Sequence, residues 1–293
     1  MKIKKKFKYL VRDSMRAMLG RESYIWLRFL VTHKYFPDFN NPRTFSEKII
    51  YRKLHDDPNI YSKLVDKYKV REYVDKVIGK EHLIPLIKVC DNISPKDFED
   101  IPESFVIKTS NGGGGEHVLI VEDKSKLQLL DVCNKFNSYI QQDIGSKIDE
   151  YFYDIEKPVI IFEELIKHNN GSYPSDYKIH IFGSEKVIIQ VDTNRFEDHC
   201  RSLFDENLKR LEFSIQPKYK PVDSAYEFPS NIVDLISKAK SLSKGFKYVR
   251  VDMYSVESKI YFGELTFCHG SGWEPIKPKE KDFSLGNLWD EYK

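Results

Sequence analysis

The chain has 293 residues, enough for one large or two modest domains with a full apolar core, so folding requires neither disulfides nor a structural metal. Hydrophobic residues make up 41% and aromatics 14%, which excludes a disordered or fibrous chain. The formal net charge of +2 hides an asymmetry: residues 1–36 hold ten Lys or Arg against Asp13 and Glu22, a net +8 that leaves about −6 for the remainder.

Four cysteines, Cys90, Cys133, Cys200 and Cys268, are scattered singly without His at ligand spacing, which argues against a disulfide framework or a zinc site and points to the cytoplasm. No apolar stretch approaches the roughly 20 residues of a membrane-spanning helix, and the N-terminus lacks the apolar core of a signal peptide. Residues 1–36 read as helical, with Phe7, Leu10, Val11, Met15, Met18 and Leu19 at helical spacing. Peripheral contact with an anionic membrane is one reading of this segment, and a solvated terminal helix is the other. No nucleic-acid partner is expected.

A turn follows at Phe36-Pro37-Asp38-Phe39-Asn40-Asn41-Pro42. Thr44-Phe45-Ser46-Glu47 then offers a capped start for a helix to about His55, Asp57-Pro58 starts a second, and a third over 67–77 ends at Gly79. The β-rich runs HLIPLIKVC, SFVIKTS and HVLIVED predict a small sheet, followed by a helix over 124–140 and a strand in PVIIFEELI. Beyond the hinge-like loop HNNGSYPS, KIHIFGSEKVIIQVD predicts a hairpin turning at Gly183-Ser184. A helix over 230–243 and a second hairpin turning near Glu257-Ser258 complete the pattern. The result is an α+β chain with a basic helical region at 1–60, a small lobe at 61–165 and a large lobe at 166–293.

Two features carry chemistry. Lys108 ends a strand and is followed by Asn111 and four glycines, Gly112, Gly113, Gly114 and Gly115. A loop without side chains brings backbone N–H groups up to an anion, and the lysine adds fixed charge, so phosphate is the natural guest. The Walker spacing is absent and no helix follows; a flexible hairpin tip is the plain alternative. Asp252 and Glu264 stand at opposite ends of the second hairpin, where facing strands bring them together. A hard cation such as Mg²⁺ would relieve their repulsion, with Arg250 on the same strand face as Asp252. The alternative is a solvated pair of carboxylates with an arginine partner.

In collinear order, FPDFNNPRTFSEKI, DKYKVREYV, FVIKTSNGGGG, FEELI, DYKIHIFG, VDTNRFEDH and VRVDMY followed by YFGELTFCHGSGWEP resemble the ATP-grasp superfamily, specifically its teichuronopeptide-biosynthesis (TupA-like) branch. The resemblance implies two α+β lobes with largely antiparallel sheets clasping ATP, preceded by N-terminal helices. It makes Lys67 and Lys108 holders of nucleotide phosphates beneath the Gly112–Gly115 loop. Glu163, Glu164 and Ile166 would line the adenine and ribose pocket, and Asp252 and Glu264 would bind Mg²⁺. Lys178 and Arg250 would face the reacting phosphate, with Arg195 on a substrate carboxylate. Thr266 stands where the wider superfamily has Asn at its second metal position, which implies weaker or water-mediated binding there. The implied activity is Mg-ATP-dependent joining of a carboxylate, such as a uronic acid or amino acid, to an amine in cell-surface polysaccharide modification. A kinase on the same fold and a glycosyltransferase are the competing classes.

Overall fold

The computed structural model describes residues 2–291 other than Gly114, Glu116 and 194–197, with side chains from Val11 onward. Helices α1 (Lys2–Leu19) and α2 (Arg21–His33) are broken at Gly20, whose φ of 77° suits glycine. Helix α3 (Phe45–His55) starts on the expected capping box, with Thr44 accepting from the Glu47 N–H and the Glu47 carboxylate accepting from the Thr44 N–H. Helices α4 (Asn59–Val65) and α5 (Val70–Ile78) follow, the latter ending at Gly79.

A first sheet is built from β1 (Leu86–Cys90), β2 (Phe105–Thr109), β3 (Val118–Val121) and, after α6 (Leu129–Tyr139) and the short α7 (Gly145–Ile148), β4 (Ile160–Glu163). Its order is β1-β4-β2-β3, all antiparallel. Phe98, Phe105, Ile107, Val132, Phe136 and Phe162 make its core, so α6 covers one face.

The second sheet joins β5 (Asp176–Phe182), β6 (Lys186–Thr193), β7 (Cys200–Asp205), β9 (Tyr248–Val256) and β10 (Lys259–Thr266). Its order is β10-β9-β5-β6-β7, again antiparallel. The two expected hairpins turn where the sequence places them. Gly183 and Ser184, then Glu257 and Ser258, all have positive φ, the conformation that matches a tight turn to strand twist. Between the strands lie β8 (Ser214–Ile215) and α8 (Ile232–Leu242); β11 (Ile276–Lys277), which pairs with β8, and α9 (Glu280–Glu291) close the order.

Tyr61, Val65, Val70 and Val74, within the 61–165 segment, join the core of the second sheet rather than that of the first. Helix α3 is buried on most sides. Its Arg52 donates to the carbonyls of Tyr248 (3.0 Å) and Phe267 (2.8 Å) and lies 4.3 Å over the Trp289 ring of α9.

Candidate active site

The second sheet has one apolar face, which is buried, and one polar face, which is buried at its centre and half-buried at Glu264 and Thr266 on β10. On β5, Tyr177, Ile179 and Ile181 alternate with Asp176, Lys178 and His180, all six out of solvent. Strand register aligns Glu264, Asp252, Lys178 and Gln190 in one row across four strands, with Thr266, Arg250 and His180 in the next. A β-bulge between Phe262 and Glu264 creates this alignment. In continuous register Gly263 would oppose Asp252, and Glu264 would point to the apolar face; the extra residue turns it onto the polar one. Gly263 suits the bulge, because a Cβ there would come within 3.0 Å of the Asp252 carbonyl oxygen.

Opposite charges pair throughout the row. Arg250 donates to both oxygens of Asp252 (Nε–Oδ1 2.6 Å, Nη2–Oδ2 2.8 Å) and from Nη2 to Glu264 at 3.1 Å. Lys178 donates to Asp252 at 2.8 Å and also pairs with Asp176. Lys67 reaches across to Glu264 at 3.4 Å while donating to the Gly112 carbonyl. Burial opposes the Arg250 charge, yet Asp252 and Glu264 outweigh it and push the guanidinium pKa up. Burial would likewise raise Glu264, but Lys67, together with Arg250, holds its carboxyl below the usual range against Asp252.

A further layer of polar groups surrounds this row. His269 lies 2.8 Å from Arg250 Nη1 and 3.1 Å from Glu274, and Arg201 contacts Asp192 at 2.7 and 3.1 Å and Glu274 at 3.5 Å. Burial, together with the charge on Arg250, depresses the His269 and His180 pKa values. Burial would raise Glu274, but His269 and Arg201 hold it well below the carboxylate range. Asp176, Asp192, His269 and Glu274 stand within the strings that carry the resemblance but receive no role from it, and Arg201 lies outside those strings. The period-two placement of charge on β5 and β6 is the sequence signal for the two aspartates.

The glycine loop is anchored at its base. Thr109 N–H donates to the His117 carbonyl at 3.1 Å, their side chains lie 3.1 Å apart, and the His117 ring stacks on Tyr139 at 4.0 Å. Gly112 has no room for a side chain, since a Cβ would lie 2.5 Å from His117 Cβ and 2.8 Å from Thr109 Oγ1. Asn111 is buried beside it. Lys108 pairs with Glu163 at 2.5 Å, and Arg71 approaches the same carboxylate at 3.3 Å. The Glu163 side chain is therefore tied to two cations, while the exposed Glu164 donates its N–H to Pro85 O at 3.1 Å; Ile166 is half-buried. Gly114 and Arg195 lie outside the described residues. Lys67, Lys178, Arg250, Asp252, Glu264 and Thr266 are brought together; Lys108 and Glu163 form a separate pair on the first sheet.

The donor set fits Mg²⁺. Asp252 and Glu264 present hard carboxylate oxygens from facing positions, and the Thr266 hydroxyl lies 3.5 Å from Glu264. Among the described residues no group of three His, Cys, Asp or Glu side chains gathers as a metal cage. A pair of carboxylates is the protein share expected for Mg²⁺ that completes its shell with nucleotide phosphate oxygens.

Comparison with known proteins gives a match to the model of the TupA-like ATPgrasp family over residues 47–290. No curated protein matches the chain. Among solved structures, D-alanine–D-alanine ligase from Bacillus anthracis is similar at 17% identity and a TM-score of 0.45, over 78% of this chain and 67% of that one. The corresponding Helicobacter pylori enzyme gives 15% and 0.40 over 78% and 61%. L-amino acid ligase from Bacillus licheniformis gives 13% and 0.42 over 71% and 44%. TM-scores this low carry no argument, so the assignment stands on the family model; ATP and Mg²⁺ are the cofactors that go with an ATP-grasp. Because that model runs from the first turn of α3 to the last of α9 and takes in both sheets and the whole polar row, the chain belongs to the TupA-like ATP-grasp family.

Proposed function

We propose that the chain is an ATP-dependent ligase that activates a carboxylate as an acyl phosphate and joins it to an amine. The observation that carries this reading is the row Glu264–Asp252–Lys178, with Arg250 beside it and Lys67 linking it to the glycine loop. It gathers cations for phosphate and hard anions for Mg²⁺ on one face, buried at Asp252 and Lys178 and half-buried at Glu264. Phosphoryl transfer needs position and charge neutralisation above all, and such a face supplies both.

In the first step a substrate carboxylate oxygen attacks the γ-phosphorus of ATP. The bond from that phosphorus to the β,γ-bridging oxygen breaks, and its electron pair leaves with ADP. Lys178 and Arg250 stabilise the charge on the transferred group, while Lys67 and Lys108 hold the remaining phosphates. Mg²⁺ bound by Asp252 and Glu264 would neutralise charge on the phosphate oxygens. In the second step the amine nitrogen attacks the acyl carbon, the carbon–oxygen bond to phosphate breaks, and the nitrogen loses its proton as inorganic phosphate departs. Arg195 is assigned to the substrate carboxylate, and the segment around Glu163, Glu164 and Ile166 to the nucleoside. The family resemblance supports a uronic acid or amino acid as carboxylate, a role in cell-surface polysaccharide modification, and action in the cytoplasm.

Hydroxylamine supplied with ATP, Mg²⁺ and a carboxylate tests the reaction class. A small strong nucleophile replacing the amine should trap the acyl phosphate as a hydroxamate. Carboxylate-stimulated ADP release without hydroxamate would decide for a kinase.

A further inference from the structure

Among its described side chains, helix α1 meets the rest of the molecule along one side. Arg12 donates to the Lys147 carbonyl at 2.7 Å, Met15 packs on the cluster around Tyr24, Ile25 and Phe29, and Arg16 pairs with Asp149 at 2.8 Å. Val11, Ser14 and Met18 lie on a different side and are exposed, Val11 at 41% and Met18 at 84%. At helical intervals of three and four before them the sequence has Phe7 and Ile3, with Leu10 adjoining, so the apolar spacing of the exposed residues runs on toward the N-terminus. Five lysines, Lys2, Lys4, Lys5, Lys6 and Lys8, accompany this stripe with no acidic residue before Asp13.

We propose that α1 is an interfacial helix that seats the chain on an anionic lipid bilayer, with Ile3, Phe7, Leu10, Val11 and Met18 facing the acyl chains and the lysines reaching the headgroups. Charge complementarity selects the sign of the surface, and the apolar stripe selects lipid over a soluble polyanion, which offers nothing to cover Phe7 or Met18. No helix of the described residues is long and apolar enough to cross a membrane, so the geometry is that of a helix lying on the surface. This attachment is independent of the ligase reading, since α1 contributes no residue to the polar row.

The test is sedimentation of the full chain with phosphatidylcholine vesicles, with and without phosphatidylglycerol. Binding is expected only to the anionic vesicles and weakens with salt. Replacing Lys4, Lys5 and Lys6 by Gln should reduce partitioning about a hundredfold, taking each lysine as roughly a fivefold factor. Phe7→Gln with Leu10→Gln keeps the charge and should reduce it at least about tenfold. ATP affinity measured on the same variants should stay unchanged, which reports an intact fold. Vesicle binding that survives the loss of Phe7 and Leu10, binding equal on neutral vesicles, or no binding at all would overturn the proposal. Loss with the lysines alone, matched by equal binding to heparin, would assign α1 to a polyanion instead.

Discussion

Arg250 donates from Nη1 to Nδ1 of His269 at 2.8 Å. A guanidinium has no acceptor, so the imidazole accepts on that side and carries its proton on Nε2, toward Glu274 at 3.1 Å. A neutral histidine thus braces the arginine assigned to the reacting phosphate, and protonation would set a second N–H against the guanidinium.

The first prediction concerns acid stability. His180 and His269 both have folded pKa values depressed from 6.5, chiefly by burial. Their contribution is intact above the unfolded value and is lost as pH falls through it toward the folded value, because the unfolded chain binds protons that the native chain refuses. The unfolding free energy from urea titrations should therefore fall between about pH 7 and about pH 5, by at most about 1.4 kcal/mol per pH unit for each histidine. Changing both residues to Asn should flatten that slope; an unchanged slope would show that they are not held neutral.

The second prediction concerns the lysine at the end of β2. Lys108→Ala removes a charge-assisted phosphate contact and leaves Glu163 with Arg71, so the fold should survive. ATP affinity should fall by about ten- to a hundredfold, as expected for losing about 1.5–3 kcal/mol. Titration calorimetry on a folded variant with wild-type affinity would remove Lys108 from the nucleotide site.

Metal binding should depend on nucleotide. Asp252 and Glu264 are paired with Arg250, Lys178 and Lys67, so a lone divalent ion has to displace cations that nucleotide phosphate would engage. Mn²⁺ followed by its spin-resonance signal should bind weakly alone and far more tightly with a non-hydrolysable ATP analogue. Asp252→Asn should weaken the ternary signal, and it should also destabilise the fold by about 3 kcal/mol by leaving buried cations short of a partner. Equal Mn²⁺ affinity with and without nucleotide would place the metal elsewhere.

A fourth prediction separates two neighbouring glycines. A Cβ at Gly112 would collide with His117 and Thr109, whereas one at Gly113 meets nothing nearer than the Tyr153 hydroxyl at 4.0 Å. Gly112→Ala should cost about 1–3 kcal/mol of stability and loosen ATP binding, while Gly113→Ala is tolerated on both counts. Thermal melts and ATP titrations of the pair check this; equal behaviour would show that the loop is not held by its base.

Much of this arrangement is legible in the chain itself. The capping box at Thr44 and Glu47, the stop at Gly79 and the two hairpin turns are local signals, each set by a few neighbouring residues. Strand β7 and the pairing of β8 with β11 are not. Cys200–Asp205 carries Arg201 as its second residue, and that residue is accommodated by Asp192, which faces it from β6 at 2.7 Å, and by Glu274. The pairing of Arg250 with Asp252 and Glu264 is legible as an arginine beside two facing carboxylates, whereas the partners of Lys178 and the His269 contact of Arg250 are not: register across strands, including one bulge at Gly263, decides which charges meet.

The tie between Asp282 and the start of α3 bears on how the chain is made. Asp282, at the head of α9, accepts from the Ser46 backbone N–H at 2.9 Å and from the Tyr35 hydroxyl at 2.7 Å, across 236 and 247 residues. A ribosome therefore finishes α3 long before the carboxylate that completes its cap has been synthesised. Until then the buried flank of α3, with Phe45 and Arg52, has no Trp289 to lie against, and the emerging chain exposes it. Such long-range closure slows folding and leaves apolar surface open to chance partners. Nascent chains halted before residue 280 should recruit holding chaperones and resist purification as soluble fragments.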